Sequence, residues 1–388
     1  MTLKVVVVGA GIIGAACAFH TASAGMDVTV VDRGPVGGGT TSRGEGNVLL
    51  SDKEPGPELD LARLSRELWD QAGEELGRDS FEWEAKGGLV VASTAEGLTA
   101  LGEFAARQAA AGVDSEPVDR VQELEPHIAP GLPGGVHYPQ DAQVQPVLAA
   151  AALLRAAERR GARPHPGEVA AAVTGRGGRV TGVRTAAGDV LPADAVVNAA
   201  GTWGAEVGRR LGAPVEVLPR RGFVLVTEPL PPMVRHKVYS ADYVANVASS
   251  GAALETSCVV EGTRGGTILV GASRERVGFD PTTNPALIAR LAAQACRLFP
   301  FLRAAHLIRA YRGFRPYCPD HLPVVGPDPR APGIVHACGH EGAGIGLAPA
   351  TGALVTAHLL GRPWRGADPA AHTALLPDRL LAPEGASR

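Results

Sequence analysis

Residues 5–34 read VVVVGAGIIGAACAFHTASAGMDVTVVDRG, with two apolar runs on either side of a glycine-rich turn and a helical segment. The four valines at the start of this stretch form an apolar run that is long enough for a buried parallel strand. A helical stretch follows to about Gly25, and a second apolar run occupies residues 28–31. Strand, helix and strand in this order predict a β-α-β unit.

The turn between the first strand and the helix has three glycines in G-x-G-x-x-G spacing, Gly9, Gly11 and Gly14. Gly9 allows a tight turn, Gly11 lets the backbone approach a phosphate, and Gly14 lets helix and strand pack closely. The helix start offers free N–H groups and a positive dipole end. Asp32 is placed to accept hydrogen bonds from ribose hydroxyls. The segment predicts a dinucleotide site that suits NAD and FAD alike; a β-α-β unit without a ligand is the alternative.

Composition excludes several other classes of protein. The 388 residues are 45% hydrophobic and 20% charged, which is typical of a globular protein large enough for two domains. The net charge of −3 provides no basic surface for nucleic acid or anionic lipid. No apolar run approaches the roughly 18 residues of a membrane span. The sequence begins directly in a strand, without a charged and then apolar leader, so we expect a cytoplasmic protein.

The cysteines favour neither a metal site nor disulfides. They are far apart and form no C-x-x-C pair, at positions Cys17, Cys258, Cys296, Cys318 and Cys338. This spacing argues against a zinc site and against a disulfide framework. We therefore expect no metal.

Apolar patterns predict the remaining elements. Helices are expected at 58–77, 95–111, 146–160 and 285–298, and in the last third up to about residue 360. Strands are expected at 87–94, 195–199, 222–227, 252–260, 267–271 and 334–337, with a three-stranded meander before residue 195. The Pro- and Gly-rich residues 117–135 are expected to wrap around the site. The final 25 or so residues are expected to be poorly ordered or to lie on the surface.

Two later motifs favour FAD over NAD. VVNAAGTW at 196–203 is a buried strand that ends in small residues, where a cofactor can lie against the backbone. HACGHEGAGIGLAPATGALVTAHLLG at 336–361 predicts a strand, a glycine-rich turn and a helix. A helix N-terminus stabilises the negative charge that a reduced flavin carries at N1 and the C2 carbonyl. NAD needs no such second site, whereas an extended FAD does.

With these motifs the sequence resembles the D-amino-acid oxidase superfamily of flavoproteins. It resembles in particular the branch of glycine oxidase, sarcosine oxidase, D-proline-type dehydrogenases, opine oxidases and hydrogen cyanide synthase. The matching segments are GAGIIG, VVD, TTSRGEGN, VVNAAGTW, GFRPYCPDHLPVVG and GHEGAGIGLAPATG, and they extend over the whole chain. The resemblance implies FAD and hydride abstraction from a carbon that bears an amine.

The resemblance also implies a mixed α/β fold of two domains. A Rossmann-like FAD-binding domain is expected from three discontinuous segments, 1–79, 143–215 and 310–388. A substrate domain with an antiparallel sheet is inserted between them, from residues 80–142 and 216–309.

The FAD-binding residues follow from the motifs and from the resemblance. They are Gly9, Gly11, Gly14, Asp32, Arg33, Thr41, Ser42, Val169, Gly201, Gly344 and Ile345. Val169 is included because a residue on that meander strand commonly presents its backbone to the adenine. Some sarcosine oxidase relatives hold flavin through a cysteine, and Cys318 and Cys338 flank the site. Single cysteines are usually buried packing residues, so we expect noncovalent FAD.

The oxidation of an amine depends mainly on how the substrate is positioned. Arg315, in the GFRP segment, matches the family arginine that pairs with the substrate carboxylate. A planar guanidinium suits this role because it presents two parallel donors to two oxygens. Arg309 and Arg312 are the alternatives.

Four further residues are candidates for contact with substrate or flavin. Tyr239 and Tyr243 lie where family members place a tyrosine of the substrate domain, and half-buried packing is their alternative role. His340 and Glu341 lie in the turn expected at the flavin edge, where His340 would hydrogen-bond flavin or substrate and Glu341 would hold an amine. Capping of the glycine-rich turn is their alternative role. Glycine oxidase-like relatives tend to carry a basic residue after this GH, so the acidic Glu341 is a departure and favours the dehydrogenase and hydrogen cyanide synthase branch.

The expected function is FAD-dependent oxidation of a small amino acid or a secondary amine. The motifs do not decide between an oxidase and a dehydrogenase subunit that passes electrons to a partner protein. A catalytically silent FAD-binding protein is a third possibility. The sequence also leaves open whether the chain forms a homo-oligomer.

Overall fold

The computed structural model describes residues 2–242, 251, 253–364 and 369–381. Its strands are β1 Lys4–Val8, β2 Asp27–Asp32, β3 Asn47–Val48, β4 Gly88–Ala92, β5 Glu116–Val118, β6 Gly134–Tyr138, β7 Ala142–Gln143, β8 Arg163–Pro166, β9 Val169–Thr174, β10 Val180–Thr185, β11 Val190–Pro192, β12 Ala195–Asn198, β13 Leu218–Thr227, β14 Lys237–Ser240, β15 Glu255–Gly262, β16 Ile268–Arg274, β17 Leu307–Tyr317, β18 Val324–Pro327 and β19 Ile334–Cys338.

Most of the described helices lie close to their predicted positions, but three short ones, Val121–Leu124, Gly204–Arg210 and Pro369–Leu375, were not predicted. The helices are α1 Ile12–Ser23, α2 Pro57–Leu76, α3 Ala95–Ala110, α4 Val121–Leu124, α5 Pro146–Arg159, α6 Gly204–Arg210, α7 Pro285–Leu298, α8 Gly344–Leu359 and α9 Pro369–Leu375. None of the helices in the described part of the chain combines the length and the apolar character that a membrane span requires.

A six-stranded sheet in the order β18-β19-β12-β1-β2-β8 forms the first half of the molecule. All neighbouring strands are parallel except β18 and β19. The valines of β1 alternate between two apolar clusters. Val5 and Val7 pack with α1, α5 and α8, whereas Val6 and Val8 pack against the meander β9–β11. The sheet is therefore covered on both faces, as a parallel sheet must be.

An eight-stranded sheet in the order β17-β13-β16-β15-β14-β4-β6-β5 forms the second half. Its neighbouring strands are antiparallel except β14 and β4, which are parallel. Leu89, Phe223 and Val260 pack with Leu291 of α7 on one face. Together the two sheets give the mixed α/β fold expected from the sequence.

The strands of each sheet come from separate parts of the chain. β8 and β12, from the predicted segment 143–215, lie in the six-stranded sheet, and β17 continues in the eight-stranded sheet through Tyr317, across the predicted boundary at 309/310. The division into five domain segments stays a prediction.

Two sequence predictions need correction. The Pro- and Gly-rich region 117–135 includes α4 and the start of β6, which pairs with β4 in the eight-stranded sheet. The chain end is not uniformly irregular, because α9 packs Leu375 and Ala371 into the interior at 0% and 5% exposure. Small and apolar residues in this Ala-rich segment provide that packing face, and composition alone does not reveal it.

Candidate active site

A cavity lies between the two sheets. The carboxyl ends of β1, β2, β12 and β19 contribute Val8, Asp32, Ala199 and Ala337, and residues of β13 and β17 form another wall. Ligands of open parallel sheets bind at this edge. The cavity brings together most of the predicted site residues, namely Gly9, Gly11, Asp32, Arg33, Thr41, Val169, Gly201, Arg315, His340, Glu341, Gly344 and Ile345.

Glycine is required at the three positions of the first turn for different structural reasons. Gly9 has φ +116°, and a Cβ there would lie 2.4 Å from the Ala199 carbonyl oxygen. A Cβ on Gly14 would lie 1.8 Å from the Gly9 carbonyl oxygen. At Gly11, by contrast, a Cβ would meet only Thr41 Oγ1, at 3.3 Å. Gly9 and Gly14 therefore allow the chain to pack, whereas Gly11 leaves the backbone open to the cavity, as a pyrophosphate requires.

Asp32 is fixed at the cavity wall by two backbone donors. Its Oδ2 accepts from Ala10 N at 2.6 Å and its Oδ1 from Gly34 N at 2.7 Å. An ionised carboxylate can accept about four hydrogen bonds, so acceptor capacity remains for ribose hydroxyls. Thr41 Oγ1 accepts from Ile12 N at 3.0 Å in the first turn of α1. The residues present thus fit the adenosine and pyrophosphate of a dinucleotide.

Arg33 and Val169 line the same end of the cavity. The Arg33 guanidinium lies 5.0 Å from the Trp203 ring centroid and 3.4 Å from Glu168 Oε1. Ser42 differs, because it does not line the cavity. Its Oγ donates to the Gly39 carbonyl at 3.3 Å within the 3-10 turn Thr40–Arg43, so its place in the structure is that of a turn residue.

The N-terminus of α8 also lines the cavity, through Gly344 and Ile345. Pro349 lies inside this helix and has no N–H to donate to the Ile345 carbonyl. The Trp69 indole donates to that carbonyl instead, at 3.1 Å. Gly352 allows close packing on α1, because a Cβ there would lie 2.5 Å from the Ala16 carbonyl oxygen.

Arg315 lines the cavity from β17, whereas Arg309 and Arg312 do not. Arg315 Nη1 donates to the Ser273 carbonyl at 2.8 Å, which orients the guanidinium along β16. A Cβ on Gly342, in the turn before α8, would lie 3.6 Å from Arg315 Nε. The guanidinium therefore lies beside the turn where a flavin edge is expected.

His340 is buried and neutral. Its Nε2 lies 2.9 Å from Thr351 Oγ1, and the Thr351 hydroxyl donates to the Leu347 carbonyl. Because the hydroxyl proton is used there, His340 is the donor in this pair. Burial lowers the pKa of His340 to about 3. The ring thus presents a neutral imidazole at the cavity wall.

Glu341 is part of a charged network. Its carboxylate lies 2.6 Å from Arg220 Nη1 and 3.2 Å from His321 Nδ1. Burial acts to raise the pKa of Glu341, but His321 and Arg220 lower it below its usual range overall. Glu341 lines the cavity as a carboxylate that the Arg220 guanidinium and the His321 imidazole already engage.

The structure places Tyr239 in the core and not at the cavity. Its side chain is fully buried and its hydroxyl contacts Ser51 Oγ. On β14, the alternation of faces directs Tyr239 toward the apolar cluster that contains Val90 and Val259. Tyr243 lies outside the described residues.

Sequence reasoning missed Glu45 and Asn47, which also line the cavity. Glu45 is 8% exposed, and its Oε1 has no hydrogen-bond partner, nor has Asn47 Oδ1. Burial raises the pKa of Glu45, while Lys237 and Arg315 act in the opposite direction. The sequence feature that could have indicated Glu45 is an acidic residue within the TTSRGEGN motif, whose other residues are mostly small or polar. Its neighbours on β16 are distant in sequence, so the motif alone does not show that Glu45 lies at the cavity.

The cysteines near this region are buried away from the cavity. Cys318 Sγ donates to the Glu216 carbonyl at 3.2 Å, and burial raises the pKa of this thiol to about 12. Neither Cys318 nor Cys338 lines the cavity. Within the described residues, no three His, Cys, Asp or Glu side chains group as a metal site would require.

Comparison with known proteins identifies the cofactor. The DAO family, described as FAD dependent oxidoreductase, matches residues 4–358. Glycine oxidase from Pseudomonas putida is 32% identical over 93% of this chain and 95% of its own length. Hydrogen cyanide synthase subunit HcnC from Pseudomonas aeruginosa is 29% identical over 91% of each chain.

Solved structures are similar over nearly the whole chain. Glycine oxidase from Geobacillus kaustophilus has a TM-score of 0.85 and 27% identity, and covers 98% of this chain and 100% of its own. L-proline dehydrogenase from P. horikoshii, at 22% identity and a TM-score of 0.86, shares the fold, over 98% of each chain. These similarities confirm the fold class, the enzyme class and the FAD cofactor expected from the motifs. The chain belongs to the DAO family of FAD-dependent oxidoreductases.

Proposed function

We propose that this enzyme oxidises the C–N bond of a small amino acid or N-substituted amino acid to an imine, which then hydrolyses. One observation carries the proposal: Arg315 lines the cavity beside the turn that precedes α8. Bound FAD supplies the hydride acceptor. The similarity to glycine oxidase supports an amino-acid substrate.

The chain's own residues hold the two reactants. Gly9, Gly11 and Asp32 would bind the adenosine diphosphate portion of FAD, and the N-terminus of α8 would face its flavin end. Arg315 would bind the substrate carboxylate through two parallel donors. The buried thiols of Cys318 and Cys338 support noncovalent FAD, since neither reaches the cavity.

The test is a pair of substitutions at Arg315. Arg315→Ala should lower kcat/KM for amino acids by roughly 30- to several-thousand-fold, which corresponds to loss of one partner of a buried charge pair. Arg315→Lys should also lower kcat/KM, because an ammonium cannot supply two parallel donors. Stopped-flow reduction of the flavin without oxygen measures the effect, and flavin absorbance measures FAD retention.

Arg309→Ala is the matched control, since Arg309 is exposed on the same strand. It should leave flavin reduction unchanged. Wild-type efficiency in Arg315→Ala would contradict the proposed role. Loss of FAD from that variant would instead assign Arg315 to the cofactor.

A second candidate function is that of a dehydrogenase subunit. The similarity to HcnC, which is named as a subunit of hydrogen cyanide synthase, favours it. In this case the electrons leave through a partner protein and not through oxygen. Flavin bleaching by an amino acid with little oxygen consumption would favour the subunit; stoichiometric peroxide would favour an oxidase.

A further inference from the structure

We propose that Glu45 binds the amino group of the substrate, so that the site selects amino acids over carboxylic acids that lack an amine. This inference rests on the proposed function, in which Arg315 holds the carboxylate at the other end. Glu45 would then be a second substrate-binding residue and the main determinant of selectivity for the amine.

The first argument is the unsatisfied hydrogen-bonding capacity of the cavity wall. Glu45 is more than nine-tenths buried, lines the cavity, and its Oε1 has no hydrogen-bond partner. Asn47 Oδ1, two residues further on, also has none. Buried acceptors without a donor are unfavourable and rare. Two such oxygens on one wall fit a ligand that supplies N–H donors and positive charge, as an ammonium does.

The second argument is the position of Glu45 relative to Arg315. Both groups lie over β16: a Cβ on Gly271 would be 2.8 Å from Glu45 Oε1, and Arg315 Nη1 donates to the Ser273 carbonyl. Arg315 also acts to lower the pKa of Glu45, so the two side chains lie within electrostatic reach of each other. A guanidinium and a carboxylate on neighbouring parts of one wall fit the carboxylate and the amino group of one α-amino acid, respectively.

Glycines on the strands make room for this arrangement. A Cβ on Gly271 would collide with the Glu45 carboxyl, and a Cβ on Gly222 would lie 2.2 Å from Arg315 Nη1. Gly222 lines the cavity on β13, the strand between β16 and β17. β16 and β13 thus have a glycine, and no side chain, at the points where the Glu45 carboxyl and the Arg315 guanidinium lie against them.

The other carboxylates at this wall are already engaged. Glu341 pairs with Arg220 and His321. Glu261, which lies behind the wall and does not line the cavity, pairs with Lys237 and accepts from Gly46 N. The bond from Gly46 N also fixes the loop next to Glu45. Glu45 is therefore the carboxylate of this wall with an oxygen available to a substrate amine.

The experiment compares two kinds of ligand on the holoenzyme. An anaerobic screen of glycine, sarcosine, D-alanine and D- and L-proline selects an amino acid that reduces the wild-type flavin. Its dissociation constant comes from the concentration dependence of flavin reduction. The matching 2-hydroxy acid, such as glycolate or lactate, is titrated by its effect on the flavin absorbance.

Glu45→Gln should weaken amino-acid binding about 30-fold or more, as expected for removal of one member of a buried charge pair. Binding of the hydroxy acid should change by less than about threefold, because that ligand uses Arg315 and carries no ammonium. Glu45→Asp should recover part of the amino-acid binding. Arg315→Ala should weaken both ligands.

Equal weakening of both ligands in Glu45→Gln, with FAD retained, would overturn this inference and leave the proposed function intact. Loss of FAD from Glu45→Gln would also overturn it, since the carboxylate would then serve the cofactor. If no amino acid reduced the wild-type flavin, the proposed function would fail, and the role of Glu45 with it.

Discussion

Individual glycines of the first turn serve different purposes, either the packing of the fold or the binding of the cofactor. Gly14 is packed against the Gly9 carbonyl, whereas Gly11 faces the cavity with only Thr41 Oγ1 nearby. We expect Gly11→Val to keep its fold but to lose FAD affinity by about tenfold or more, because its branched side chain occupies the place of the phosphates. Titration of the apoprotein with FAD, followed by flavin fluorescence, measures this change.

Gly14→Ala serves as the contrasting variant, since its Cβ would lie 1.8 Å from the Gly9 carbonyl oxygen. It should lower the free energy of unfolding whether or not FAD is present. If Gly11→Val bound FAD as tightly as wild type, the phosphates would have to lie elsewhere.

The positions of some site residues can be predicted from the sequence, and those of others cannot. The spacing of Gly9, Gly11 and Gly14 is local, so their positions at the cavity follow directly from the motif. Tyr239 was placed by resemblance alone, and strand alternation directs it into the core. Glu45 acquires its neighbours only when residues 45, 271 and 315 meet in space, which no local pattern encodes.

At the scale of elements, Asp141 joins the turn between β6 and β7 to the segment after β3. It is fully buried, accepts from Leu50 N at 2.8 Å, and contacts the Ser51 hydroxyl, which in turn contacts Tyr239. Burial raises the pKa of Asp141 from 3.8 to about 7, although these donors oppose the shift. The native protein therefore holds this proton to a higher pH than the unfolded chain does.

This shift makes the stability depend on pH. The stabilisation is complete below the unfolded-state pKa and is lost as pH rises through the native one. Between pH 5 and pH 8 we expect the Asp141 contribution to fall by about 2–3 kcal/mol. Asp141→Asn cannot ionise and should lack this part of the decline; urea unfolding at both pH values measures it.

Asp114→Asn, at an exposed carboxylate just before β5, is the control and should keep the wild-type decline. An identical pH slope in wild type and Asp141→Asn would mean that Asp141 stays ionised in the native protein. That result would make its backbone donors, and not burial, the dominant influence on the carboxyl.

At the scale of the whole molecule, local pattern predicts elements better than it predicts their arrangement. The helix Pro285–Leu298 coincides with its prediction, because Asn284, Pro285 and the apolar spacing mark it locally. The order β18-β19-β12-β1-β2-β8 joins strands from both ends of the chain, and only the resemblance to a known family indicated such a return. The burial of Leu375 in the core depends on the same long-range assembly.

Both sheets contribute residues to the cavity, so a ligand bound there should stabilise the packing of one sheet against the other. The Thr40 and Thr202 hydroxyls both donate to the Phe314 carbonyl, at 2.8 and 2.6 Å, and so connect the loop after β2 and the turn after β12 to β17. FAD bound in this cavity would contact residues that only the folded chain brings together. Binding should therefore stabilise the native state, by about 2.7 kcal/mol when free FAD is 100 times its Kd.

Thermal unfolding of the apoprotein at increasing FAD concentrations measures this linkage. The Tm should rise by several degrees and keep rising with the logarithm of the FAD concentration beyond Kd, since ligand that binds only the native state shifts the equilibrium by mass action. Gly11→Val should unfold near the Tm of the wild-type apoprotein and respond little to FAD, because its fold is intact but its phosphate site is filled. If the Tm of the wild-type protein did not change with FAD concentration, the cofactor would have to bind outside the cavity between the sheets. A Tm that rose equally in Gly11→Val would contradict the assignment of the first turn, while leaving the cavity itself as the binding site.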